Sequence, residues 1–229
     1  MGAGLLDHVA LWVEDRDSIA KFATAHLGMH VIERTERFTL VGSDARRGKL
    51  TLFVAAGPRD RGALKHIALR VSDLDAAVAE LPDGLAVDRQ DGAAYFEVSE
   101  GLRLGLVEGS PAVDYDLDHV ALYSAEPDRT SEAYLPLGFE RAGGEVPRVE
   151  AGGAFVEFHQ GDPGDPEQPL LNHLAILVAS ADEWKATAED NGVEVADVVD
   201  APNTYAVFVW APERVKLEYV EHKPSFSLT

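Results

Sequence analysis

Alternation of apolar and polar positions marks four strands that begin alike. His8 opens His-Val-Ala-Leu-Trp-Val, His66 opens His-Ile-Ala-Leu-Arg-Val, His119 opens His-Val-Ala-Leu-Tyr-Ser, and His173 opens His-Leu-Ala-Ile-Leu-Val. In the first, Val9, Leu11 and Val13 point one way and His8, Ala10 and Trp12 the other, because successive strand side chains face opposite sides. Each His therefore starts one face of a strand, and an Ala follows it on that face, leaving room beside the ring. A helix signal follows each strand. Leu74, Ala77, Val78 and Leu81 fall on one stripe after a possible cap at Ser72. Ser180 and Glu183 have capping-box spacing, and Asn191-Gly192 ends that helix. Ile19, Phe22 and Ala23 form the first unit's stripe, which Leu27-Gly28 closes, and Leu137-Gly138 closes the third.

Strands then follow with turn residues between them: Phe38–Val41, Leu50–Ala55, Tyr95–Val98, Leu102–Val107, Ala154–His159, Tyr205–Trp210 and Val215–Val220. One helix followed by a run of strands points to α+β with meandering sheets rather than a parallel βαβ sheet. The chain reads as four βαβββ modules. One module is too small to bury its apolar face alone, so modules should pair. The polar, proline-bearing stretch from Glu108 to Asp116 suggests two halves: residues 1–110, and residues 115–229.

Aligning the last strand of each module brings Thr51, Gly105, Glu157 and Glu218 to equivalent positions. The C-terminal half then offers His119, Glu157, His173 and Glu218, and the N-terminal half only His8, Thr51, His66 and Gly105. A divalent ion without thiolates needs about three or four ligands, and two His with a carboxylate is a recognised set. Inward-facing carboxylates on strands are costly unless paired or liganded. The expectation is one metal, on His119, His173 and Glu218 with Glu157 as a fourth ligand, and a metal-free N-terminal cavity. His8 and His66 are read as structural, with Arg70 on the face of His66. His26, His30 and His222 are read as surface residues. Tyr205 and Phe208 are candidates to wall the pocket.

Composition narrows the chemistry. The 229 residues include no cysteine, which excludes disulfides, thiolate ligands and cysteine nucleophiles. A net charge of −20 argues against nucleic acid or an anionic membrane as partner. No apolar run reaches the roughly 18–20 residues that span a bilayer, and the start of the chain lacks a secretory pattern. The expectation is a cytoplasmic protein, monomer or homodimer, acting on a small molecule.

These residues resemble the vicinal oxygen chelate superfamily, which includes glyoxalase I, bleomycin-resistance proteins and extradiol dioxygenases. The resemblance rests on the four phrases Asp7-His8, Lys65-His66, Asp118-His119 and Asn172-His173 with their following Ala, on the Leu-Gly helix ends, and on Lys216-Leu-Glu-Tyr219. It implies paired modules forming a cupped sheet, with a metal (Fe, Mn, Ni, Co or Zn) that takes substrate through two neighbouring oxygens. Glyoxalase-type sites use His and Glu from each of two modules, which maps onto His119, Glu157, His173 and Glu218. Dioxygenase sites use two His and one Glu, which maps onto His119, His173 and Glu218. The terminal signature of the dioxygenases has a tyrosine where Phe208 stands here, and a glycine where Arg214 stands. Three activities follow. One is a glyoxalase-like isomerase or lyase, with Glu157 as base and His159, on the same strand face, as a further catalytic candidate. The others are an extradiol-like oxygenase with Fe(II) or Mn(II), and a non-catalytic small-molecule binder.

Overall fold

The computed structural model describes residues 4–99 and 101–229, and it contains the four modules. Residues 1–3, part of the stretch read against a leader, lie outside the described residues. Module 1 runs β1 (Leu5–Val13), α1 (Arg16–His26), β2 (His30–Arg34), β3 (Phe38–Asp44) and β4 (Arg47–Val54). Module 2 runs β5 (Leu64–Val71), α2 (Leu74–Ala79), β6 (Val87–Gln90), β7 (Ala93–Ser99) and β8 (Leu102–Glu108). Module 3 runs β9 (Asp116–Ser124), α3 (Pro127–Tyr134), β10 (Glu140–Ala142), β11 (Arg148–Ala151) and β12 (Ala154–Gln160). Module 4 runs β13 (Leu171–Leu177), α4 (Ala181–Asp190), β14 (Val195–Asp200), β15 (Thr204–Trp210) and β16 (Lys216–His222).

Local chemistry sets the helix ends. Ser180 Oγ accepts from the Glu183 amide, as the capping-box spacing predicts. At α2 the cap is Asp73 rather than Ser72, its carboxylate accepting from the Ala76 amide at 2.9 Å. Gly138 closes the α3 region at φ +99°, in the left-handed region where a side chain is strained, and a Cβ there would also meet the Trp184 ring at 2.8 Å.

The pairing of modules corrects the expected division at residues 110–115. One eight-stranded sheet has the order β14-β15-β16-β13-β1-β4-β3-β2, and the other β10-β11-β12-β9-β5-β8-β7-β6. Module 1 thus joins module 4 through β1 and β13, and module 2 joins module 3 through β5 and β9, both antiparallel. The physical reason is that a polar linker marks an exposed connection and says nothing of which edges pair. The Glu108–Asp116 stretch connects two modules of the same sheet. The crossovers between sheets are residues 55–63 and 161–170, which meet where the Leu170 amide donates to Asp60 O at 2.7 Å.

The apolar sides of both sheets share one buried core with the helices. Phe22 of α1 packs on Phe96 of β7 at 5.8 Å between centroids, and the Tyr219 hydroxyl of β16 donates to Leu137 O at 3.0 Å. The histidine faces therefore look away from this core. They form two cups: an outer-module cup on the sheet of modules 1 and 4, and an inner-module cup on the sheet of modules 2 and 3.

Candidate metal centre

Register explains how each cup is laid out. In the outer-module cup, His8 lies beside Ala175, Ala175 beside Glu218, and Glu218 beside Phe208. The next row sets His173 beside Ala10 and Ala10 beside Thr51. The Ala two positions after each His is thus the residue its partner module places next to the other His. A methyl group at that point lets two imidazoles and a carboxylate lean together over it.

They do so closely. His8 Nε2 is 3.1 Å from His173 Nε2 and 3.1 Å from Glu218 Oε2, and His173 Nε2 is 2.9 Å from Glu218 Oε2. The far side of each ring is anchored, His8 Nδ1 on Asp7 Oδ2 at 2.7 Å and His173 Nδ1 on Asn172 Oδ1 at 3.1 Å. With acceptors at both Nδ1 atoms, two Nε2 lone pairs and a carboxylate converge on one point. Such backing by a carboxylate or carbonyl is how metal-binding imidazoles are oriented. Asp7 is in turn held by the buried Lys49 at 2.9 Å.

The electrostatics show the same demand for positive charge. Burial pushes Glu218 up, but the charge of His173 and hydrogen bonds from His173 and His8 outweigh it and hold the carboxyl far below its usual range. Burial pulls His8 down, yet its bonds to Asp7 and Glu218 raise it to about 9. His173 is lowered, by burial first, against the opposing pull of Glu218. Without a metal, His8 carries the compensating proton.

The geometry fits a metal. The edges of 2.9, 3.1 and 3.1 Å between the three ligand atoms bring them within reach of one shared ion, and two imidazoles with a carboxylate are a suitable donor set. Among the described residues, His8, His173 and Glu218 are the group whose ligand atoms all converge.

The expected quartet is divided. His173 and Glu218 are in the outer-module cup, and His119 and Glu157 are in the other sheet. His119 and Glu157 therefore do not share a site with His173 and Glu218, because modules 3 and 4 do not pair. His8, read as structural, completes the triad. A signal for it was present in the residue preceding each His: Asp7, Asp118 and Asn172 can hold an imidazole Nδ1, whereas Lys65 cannot.

The inner-module cup repeats the rows. His66 lies beside Ala121, Ala121 beside Glu157, and Glu157 beside Arg148. His119 lies beside Ala68, and Ala68 beside Gly105. Here the two imidazoles bond to each other at 2.8 Å, while Glu157 is 3.8 Å from His119 and turns toward His159 at 3.4 Å and Arg148 at 3.5 Å. Lys65 Nζ donates to His159 Nδ1 at 2.9 Å. Burial, then the neighbouring His119, push His66 down to about 3. Tyr95 leans over Gly105, where a Cβ would meet its ring at 2.6 Å, and packs on His66 at 4.7 Å. Arg70 bonds to Asp118, which holds His119 Nδ1, both at 2.7 Å.

Phe208 does wall the outer-module cup, its ring 5.2 Å from that of His173. Tyr205 does not. It lies an odd number of residues from Phe208, on the opposite face of β15, where its hydroxyl donates to Asp182 of α4 at 2.8 Å.

Residues 5–88, module 1 and about the first half of module 2, match the family model described as Glyoxalase/Bleomycin resistance protein/Dioxygenase superfamily. Among curated proteins, none matches the chain in sequence. Solved structures share the fold. A Bacillus subtilis protein crystallised as a candidate dioxygenase superposes with a TM-score of 0.79 at 18% identity, covering 98% of this chain and 87% of that one. Glyoxalase I from Zea mays gives 0.76 at 15% identity, covering 96% and 92%. The cppA protein from Streptococcus pneumoniae gives 0.63 at 13% identity, covering 96% and 100%.

Proposed function

We propose that this chain is a metal-dependent enzyme of oxygenase type, with its site in the outer-module cup; the match of residues 5–88 to the Glyoxalase/Bleomycin resistance protein/Dioxygenase superfamily model and the fold that the whole chain shares with solved structures support the reading. His8, His173 and Glu218 would hold one divalent ion, Fe(II) or Mn(II) being the class that this ligand set suits. The single observation that carries the reading is the closed triangle of their three ligand atoms. When bound, such an ion supplies Lewis-acid and oxygen chemistry to a substrate that presents two neighbouring oxygens.

The chain's own residues support the oxygenase reading over the isomerase one. An isomerase of glyoxalase type needs a base at the metal, and Glu157, the expected base, belongs to the other sheet. In the outer-module cup Glu218 already serves as the anionic ligand, and the second carboxylate position, beside Ala10, is taken by Thr51, a buried hydroxyl that does not ionise near neutral pH. Two His and one carboxylate leave the remaining coordination positions to small molecules. Phe53 and Phe208, 6.2 and 5.2 Å from the His173 ring, supply apolar walls that limit water at that point.

Metal analysis after loading with Fe(II) tests the reading, together with oxygen uptake on catechols and other vicinal diols or enediols. About one ion per chain is expected, lost in His8→Ala and Glu218→Ala and kept in His119→Ala. Metal retained by His8→Ala would overturn the site. Metal bound as expected without oxygen uptake on any such substrate would overturn the oxygenase assignment and leave the site standing.

A further inference from the structure

A cleft of about 260 Å³ opens at one end of the outer-module cup. Trp12, Trp210, Lys216 and Asn172 form its floor and walls, and Arg59 with the crossover Pro163–Pro169 forms its roof. Both inter-sheet crossovers thus meet over it. Its volume is below the about 300–1,000 Å³ typical of pockets for drug-sized ligands, so it suits a small molecule.

The cleft adjoins the triad. Lys216 precedes Glu218 by two positions on the same strand face, about 7 Å along the strand. Asn172, on the wall, is the residue that holds His173 Nδ1. The Trp12 ring is 5.1 Å from that of Phe53, which is itself 6.2 Å from that of His173.

Its lining carries three cations and three carboxylates, but they do not pair one to one. The chain carries 40 acidic residues against 20 Lys and Arg, so cations usually find carboxylates. Of the wall carboxylates, Asp165 is tied to Arg214, and Glu213 accepts from Ser124 Oγ at 2.6 Å and Thr130 Oγ1 at 2.9 Å. Glu167, on the roof segment, is exposed. Among the described residues, Lys216 and Arg59 form no ion pair. The Lys216 ammonium lies over the Trp210 ring at 5.2 Å and the Arg59 guanidinium over Trp12 at 5.9 Å, with one Arg59 bond to the Gln168 amide oxygen. Arg59 Nε is buried with no hydrogen-bond partner. A buried donor left unmet costs stability that a bound acceptor would recover.

We infer that this cleft receives the anionic end of the substrate, which is a small acid: its carboxylate lies on Lys216 and Arg59, its flat body on the indoles, and its oxygen pair toward His8, His173 and Glu218. The inference rests on the metal reading of the same cup. Lys216 and Arg59 determine specificity, and they act by binding rather than by chemistry.

Binding of catechol and of 3,4-dihydroxybenzoate, which differ by one carboxylate, tests it. Two of the three tryptophans line the cleft, while Trp184 is buried and stacked on Tyr219 at 5.3 Å, so indole fluorescence reports occupancy without turnover. Titrations use the metal-loaded protein under nitrogen and the metal-free protein, with metal content measured on the same samples. The acid should bind about tenfold or more tightly than catechol, the scale of a hydrogen bond to a charged group. Lys216→Gln and Arg59→Gln should each reduce that ratio and leave catechol affinity within about twofold. Equal affinity for the two probes, a preference that survives in both variants, or no binding of either at about 1 mM would overturn the inference. An acid preference in a protein that holds no metal would instead defeat the metal reading and leave the anion site standing.

Discussion

The two cups are built from the same rows, His–Ala–Glu in one and His–Ala followed by a small residue in the other, yet only one closes on a point. In the outer-module cup the residue across from the carboxylate is Phe208. In the inner-module cup it is Arg148, which with His159 draws Glu157 aside. The residue before the first histidine differs as well. Asp7 backs His8, whereas Lys65 brings a cation toward His66. Fold and ligand types are shared, so the neighbours of the ligands decide whether a site forms. A carboxylate met only by imidazoles, which can give up their protons, is available to a metal.

The largest effect that would sharpen this contrast is in the anchors. Lys49 and Asp7 are both buried, with side chains 3% and 1% exposed, whereas Arg70 and Asp118 retain 19% and 12%. Lys49→Met leaves a buried carboxylate short of its partner and should cost about 3–5 kcal/mol in urea unfolding of the metal-free protein. Arg70→Met should cost clearly less, and equal losses would contradict the difference between the two cups.

Next is the backing of the imidazoles. Asp7→Asn should weaken metal binding about 10–100-fold in competition with a chelator, as loss of such partners generally does. Asp118→Asn, in the inner-module cup, should leave it unchanged. A comparable loss from both would mean that metal binding draws on both cups.

Placing the inner cup's disruption in the outer one is a smaller perturbation. Phe208→Arg puts a guanidinium across from Glu218, and a charge-assisted bond there should lower metal affinity about tenfold. Unchanged affinity would show that the cation opposite the carboxylate is not what separates the cups.

A further contrast is in pH, where the cups should behave oppositely in the metal-free protein. His8 is raised from 6.5 to about 9, so its stabilisation is complete below pH 6.5 and is lost as pH climbs through 9. His66 is lowered from 6.5 to about 3, so the unfolded chain takes up its proton first and stability falls as pH drops from 6.5 toward 3. Melting temperature should therefore peak near neutrality and fall on both sides. His8→Ala should flatten the alkaline limb and His66→Ala the acid one. Metal should flatten the alkaline limb too, since it takes the place of the His8 proton.

Much of this architecture is legible in the chain. The four His-x-Ala phrases give the modules, and their alternation gives the face of each histidine and the purpose of each Ala. Glu218, His173 and Phe208 are recognisable from the repeat. What the pattern does not contain is which modules are neighbours. Period-two alternation fixes the face of a strand and not the strand beside it, and the Glu108–Asp116 linker misleads because it is polar for the ordinary reason that it is exposed. That one long-range choice moves His119 and Glu157 out of the site and brings His8 in. Tyr205 is the opposite case: three residues from Phe208, it falls by the same alternation on the other face of β15, toward α4, so its place was legible in the chain.

The pairing of Ala10 with His173 also sets a timetable for synthesis. About 160 residues separate the two strands, and ribosomes add roughly 5–20 residues each second, so β1 leaves the ribosome about 8–30 s before the strand that will cover its edge. Modules 2 and 3 are complete by Gln160 and can close their sheet in that interval. Module 1 must wait beside them with an open edge, and exposed strand edges invite other chains. The inner pair, which closes no triad of its own, is in a position to serve as the early-folding platform on which the late-forming site is assembled.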